Sequence, residues 1–102
     1  MKNTNLRPYG KAKFLNGIRI EKLPVDCSVS KTGIEAAIIQ YEQFGATPEI
    51  VAVNNSDFSI AVESCRRIKR SLTVVSAPII ASDSFVVCGK HGAVWSNGPC
   101  GP

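Results

Sequence analysis

The 102-residue sequence carries 12 Lys and Arg against 8 Asp and Glu, a formal charge of +4, with 44% apolar and 20% charged residues. That balance excludes a disordered chain. No apolar run approaches the ~20 residues that span a bilayer, and the N-terminus lacks the apolar centre of a signal peptide, so neither a membrane partner nor export is expected. A chain of this size buries roughly 60–68% of its unfolded surface, enough for one domain without metal or disulfide support. The modest positive charge favours an acidic partner without demanding one. The four cysteines, Cys27, Cys65, Cys88 and Cys100, are expected as free thiols in a reducing compartment, with Cys27 and Cys65 as small core residues.

Residues 1–10 are polar, end in Pro8, Tyr9 and Gly10, and are expected as an arm, with 97–102 as a tail and 11–96 as the domain. The apolar-alternating stretches 11–15 and 18–23 flank Asn16-Gly17. Both residues tolerate the positive φ that a two-residue turn requires, so the pair predicts a β-hairpin. Thr32 and Glu35 have the spacing of a capping box and predict a helix starting at Thr32. Ile34, Ala37, Ile38 and Tyr41 form its apolar stripe, Phe44 extends it, and Gly45 is placed to end it. The nearly continuous apolar run 49–53 predicts a strand buried on both faces.

A second helix is expected after Asn55 or Ser56 as N-cap, with Asp57 favouring its positive dipole end. Its expected stripe is Phe58, Ala61, Val62, Cys65 and Ile68. A strand over 72–77 stopped by Pro78 follows, then paired strands over 85–88 and 93–95. The sum is a single small α/β or α+β domain, a short mixed sheet with an N-terminal hairpin and two amphipathic helices.

Three constellations could carry chemistry. Cys88, His91 and Cys100 offer thiolate and imidazole donors at a spacing that could hold zinc, with Cys27 or Cys65 completing the set through folding. The plainer reading is a buried Cys88, a surface His91 and a terminal thiol, and on it no metal or other cofactor is expected. Cys88 and His91 as nucleophile and base would need an orienting group and an oxyanion site, and no recognisable elbow surrounds Cys88. No catalytic residues are assigned. Arg66, Arg67, Lys69 and Arg70, with Lys11 and Lys13, could contact phosphates or an acidic protein. Against that, cations at a helix C-terminus complement its dipole, and no aromatic residues are interleaved for base stacking.

Other features point to a family. The strand over 48–53 runs into Asn54-Asn55-Ser56-Asp57-Phe58 and a helix. A strand with Val74, Val75 and Ser76, a turn at Pro78, a strand through Val86 and Val87, and a short strand holding Trp95 come next. Across about residues 33–96 this order resembles the axial domain of tailed-bacteriophage major capsid proteins. In that family an Asn-Pro pair stands where this chain has Asn54-Asn55, and Gly-Asp where it has Cys88-Gly89-Lys90-His91. Standard capsid subunits are also considerably longer, with an extended loop and a spine helix that residues 1–32 do not accommodate. The resemblance therefore implies a reduced relative or a small head-associated protein.

The expectation is a non-enzymatic structural or assembly protein, in the virion or host cytoplasm, that binds other protein subunits or itself. Its contacts are expected from the hairpin (Phe14, Ile18, Ile20) and from Trp95, on exposed strand edges. The alternatives are a small nucleic-acid-binding module and a small zinc-binding domain.

Overall fold

The computed structural model describes residues 13–15 and 18–97. Strands β1 (Lys13–Leu15) and β2 (Ile18–Lys22) pair antiparallel with Lys13 opposite Ile20 and Leu15 opposite Ile18. That register leaves two residues between the strands, the spacing of the expected hairpin. Asn16 and Gly17 themselves lie outside the described residues, as do the expected arm and all of the tail but Asn97.

Helix α1 (Lys31–Glu42) begins earlier than the capping-box reading places it. Ser30, in extended backbone, is the N-cap, and its Oγ accepts from the Gly33 amide at 3.1 Å. Thr32 sits exposed inside the first turn, and Glu35 faces Lys31 at 3.5 Å instead of reaching back to a cap. The reason is packing at Gly33, where a Cβ would stand 2.4 Å from the Ser28 carbonyl oxygen. The Ser30 Oγ holds the Gly33 amide while the bare Gly33 Cα packs against that preceding loop, so cap and close packing act together at this start. Ile34, Ala37, Ile38 and Tyr41 are buried as their spacing predicts, and Gly45 closes the segment at φ +87°.

Strand β3 (Ile50–Val53) leads into a 3₁₀ turn over Asn55–Asp57 and helix α2 (Phe58–Ile68). The cap again lies earlier than expected. The Asn54 Oδ1 accepts from the Ser56 amide at 2.9 Å, neither Asn55 nor Ser56 caps, and Asp57 makes no side-chain cap bond to α2. Because α2 starts only after this tighter turn, its buried face is Ala61, Ser64, Cys65 and Ile68, leaving Phe58 exposed and Val62 half-buried. Lys69 ends the helix in left-handed backbone at φ 62°.

Strand β4 (Thr73–Ser76) and the hairpin of β5 (Phe85–Gly89) and β6 (Gly92–Ser96) complete a six-stranded mixed sheet in the order β1-β2-β6-β5-β3-β4. Strands β2, β6, β3 and β4 run one way, and β1 and β5 the other. Helix α1 carries the chain from β2 to β3 and packs on β5 and β6, while α2 joins β3 to β4 and packs on both. The helices thus share one face of the sheet, an α+β arrangement with a single core.

That core joins Ile34, Ile38 and Tyr41 to Val51, Val53, Phe85, Val87 and Val94. Two glycines let α1 approach the β5–β6 hairpin. A Cβ on Gly89 would meet the Tyr41 hydroxyl at 2.5 Å, and one on Gly92 would meet the Arg19 carbonyl oxygen and the Phe44 ring below 3 Å. The Tyr41 hydroxyl accepts from the His91 amide at 3.2 Å, fixing the hairpin turn to the helix. No helix among the described residues is long and apolar enough to cross a membrane.

Candidate protein-docking face

With both helices on one side, the opposite face of the sheet is left to its own side chains. The strand alternation sends Val51, Val53, Phe85, Val87 and Val94 into the helix layer, where all five are fully buried. Their neighbours Ile50, Ala52, Val86, Cys88, Ala93 and Trp95 point the other way and are only half-buried. This corrects the expectation for β3: a continuous apolar strand here means one buried face and one uncovered apolar face.

The uncovered face holds no charge across β3, β5 and β6. At its margin Lys22 lies over the Trp95 ring, its Nζ 5.6 Å from the centroid. The segment 77–84, which returns the chain from β4 to β5, stands beside this face and forms one wall of a half-open cavity of about 350 Å³. Ile20, Val86, Ala93 and Trp95 line it from the sheet, and Ile79 and Ile80 from the loop. Ile79 is 91% exposed at the rim.

Polar side chains at the carboxyl ends of β3 and β6 hold that loop in place. Asn54 Nδ2 donates to the Ile80 carbonyl at 2.7 Å, and the Asp83 amide donates to Asp57 Oδ2 at 2.6 Å. Asp83, at φ 64°, in turn accepts from the Val29 amide through Oδ1 at 3.1 Å. Ser96 Oγ accepts from the Cys27 amide at 3.0 Å and donates to the Cys27 carbonyl at 2.7 Å. The Asn54 and Asp57 bonds fix the cavity wall, while Asp83 and Ser96 tie the segment holding Cys27 and Val29 to the same end of the sheet.

The sequence-expected interface residues are placed differently from one another. Ile20 and Trp95 both line the cavity, but not as edge contacts. Strand β6 is flanked by β2 and β5, and β2 by β1 and β6, so both residues act through the sheet face. Phe14 lies in β1 and Ile18 in β2. Val86, Ala93 and Ile79 were missed. Their signal was in the sequence: β5 and β6 are apolar at both parities, more apolar surface than two helices on one side can cover.

The cation set is dispersed. Lys11 lies outside the described residues, and Lys13 sits in β1 at one edge, while α2 packs over β3 and β4 at the other, about 24 Å away at five strand spacings. Arg66 lies 3.1 Å and Arg67 4.0 Å from Glu63, and Arg70 bonds Glu42. These exposed pairs neutralise much of the cluster while adding little stability.

The expected zinc ligands are split likewise. Cys88 lies on the open face, and burial followed by the nearby Glu49 carboxylate pushes its thiol pKa up, disfavouring the thiolate that metal needs. His91 is exposed in the turn, and Cys100 lies outside the described residues. Cys65 is in the helix-side core, on the far side of the sheet from Cys88, and burial raises its pKa too. Cys27 is bound to Ser96 on that same side, so neither can complete a set with Cys88. Among the described residues no three His, Cys, Asp or Glu side chains are grouped to hold a metal. Cys27, Cys65 and Cys88 are all free thiols.

Compared with protein-family models, with curated proteins and with solved structures, the chain has no match.

Proposed function

We propose that this chain is a non-enzymatic structural domain that joins protein subunits through the open face of its sheet. One observation carries the reading: an apolar face with a cavity in it, its cation Lys22 lying at the margin, on a molecule whose densest cations lie in the opposite layer. Apolar area left open on one side of a small domain is the usual mark of a protein-binding surface. Trp95 at its centre is the residue type that concentrates interface energy. The resemblance to the axial domain of tailed-phage capsid proteins supports placing this role in a virus head, as an associated or assembly component. Such a protein works in the virion or in the host cytoplasm.

The test compares wild type with Val86→Lys on the open face and with charge reversal of Arg66, Arg67 and Arg70. Particle mass by light scattering is followed at low and high salt, alone and with added nucleic acid. Docking through the face expects association that Val86→Lys abolishes, and that added salt and charge reversal leave intact. Association that needs nucleic acid, falls steeply with salt and is lost on charge reversal would move the function to the helix layer and sink this reading.

A further inference from the structure

We infer that the occupant of the open face is a second copy of this chain, the two sheets packing face to face about a two-fold axis with each Ile79 seated in the other's cavity. The inference rests on the docking reading above and names its partner.

Charge is the first argument. The chain is net +4, yet Arg66, Arg67, Lys69 and Arg70 cluster at the end of α2, and Arg19 lies against Phe44 on the helix side, 4.9 Å from the ring. An acidic partner would be drawn to the helix layer. An apolar sheet face is matched by another of the same kind. The cation it carries beside Trp95, Lys22, is balanced by Asp26 at 3.4 Å, so two copies can meet there with little opposition of like charge. Paired sheets stack about 10 Å apart, a distance that side chains such as Val86 and Trp95 fill from both sides.

Shape is the second. A two-fold interface is self-complementary, so residue i of one copy must fit residue j of the other and the reverse. Here a knob, Ile79 at 91% exposure, stands at the rim of a cavity of about 350 Å³ floored by the apolar side chains of β2, β5 and β6. An axis lying in the interface between knob and cavity exchanges the two.

Area sets the strength. Six strands about 4.8 Å apart, three to five residues long at about 3.3 Å each, give a face of roughly 400 Å² in projection. That is short of the about 800 Å² per partner of a standard stable interface. The dimer is therefore weak and reversible.

Sedimentation equilibrium of the full chain over a concentration series, wild type beside Ile79→Asp, tests this. Wild type is expected to approach twice the 10.9 kDa chain mass. Ile79→Asp is expected to raise the dissociation constant by about tenfold or more, because a carboxylate must enter an apolar cavity. Its urea midpoint, measured dilute enough that wild type is monomeric, should not move, since the side chain is solvent-exposed in the single chain. An Ile79→Asp dimer as strong as wild type, for example one paired through the β4 edge, would overturn the inference. So would a wild type that stays monomeric, and then the broadening of the Trp95 indole signal by a soluble paramagnetic agent separates two cases. A broadened signal means the face is open and only the second-copy assignment falls. A protected signal means the chain covers its own face, and the docking reading falls with it.

Discussion

Gly89 and the Tyr41 hydroxyl occupy adjoining space, and a double-mutant cycle between them reads how closely α1 is set against the β5–β6 hairpin. A Cβ on Gly89 would lie 2.5 Å from the Tyr41 hydroxyl, with the Tyr41 Cζ at 3.2 Å and the Thr47 carbonyl at 3.3 Å. Only the first distance is intolerable, and Tyr41, at 0% exposure, has nowhere to retreat. Overpacking of this kind costs about 1–3 kcal/mol, offset by the about 0.5–1 kcal/mol that alanine gains over glycine in a strand. Gly89→Ala should therefore destabilise by about 1–2 kcal/mol. Tyr41→Phe removes the acceptor of the His91 amide and should cost about 1–2 kcal/mol.

Independent effects would sum to about 3 kcal/mol, a fall in Tm of about 12–24 °C at the usual scale for a domain of this size. Removing the hydroxyl also removes the clash, so the double variant should lie close to Tyr41→Phe alone, with a coupling of about 1 kcal/mol or more. Urea unfolding followed by Trp95 fluorescence supplies all four corners. Additivity within about 0.3–0.5 kcal/mol would refute the close approach on which the hairpin's placement depends.

Two further outcomes are expected. Ser30→Ala should destabilise by about 1 kcal/mol, while Thr32→Ala should stay within about 0.5 kcal/mol. The reverse order in thermal melts would restore the later helix start that the sequence pattern suggests. Burial raises the thiol pKa of Cys65 and Cys88 above the ordinary 9.0, so above about pH 9 the unfolded chain sheds protons that the folded chain retains. This contribution to stability is complete below pH 9 and is lost as pH rises through the folded values. The decline in urea midpoint on going alkaline should be shallower in a variant with both cysteines replaced by alanine; an unchanged slope would contradict the placement of the two thiols.

The elements were largely legible because each carries its own local chemistry. Ile34, Ala37, Ile38 and Tyr41 keep helical spacing, Gly45 supplies the left-handed stop, and Asn16-Gly17 separates two short strands. Capping misled because hydroxyl and amide side chains recur in Ser28, Ser30 and Thr32 and again in Asn54, Asn55 and Ser56. What selects among them is tertiary: the Ser28 carbonyl against Gly33, and the Ile80 carbonyl against Asn54. Sheet order was not legible either. Strand β6 inserts between β2 and β5 through long-range pairing that no local pattern encodes, and that insertion moves Trp95 from a presumed edge to the middle of a face. The docking face was half legible. Ile20 and Trp95 were singled out as apolar contacts, but the face that unites them with Val86 and Ala93 exists only once both helices fall on the same side.

The most direct test of the account is an NMR dilution series on the purified full chain, with backbone and indole signals assigned. The account expects concentration-dependent shifts confined to the open face, centred on Ile20, Val86, Ala93 and Trp95 and extending to Ile79, with α1 and α2 silent. Shifts confined to the basic end of α2 or to the β4 edge would contradict it, and none at any concentration would overturn the assignment of a second copy to the face.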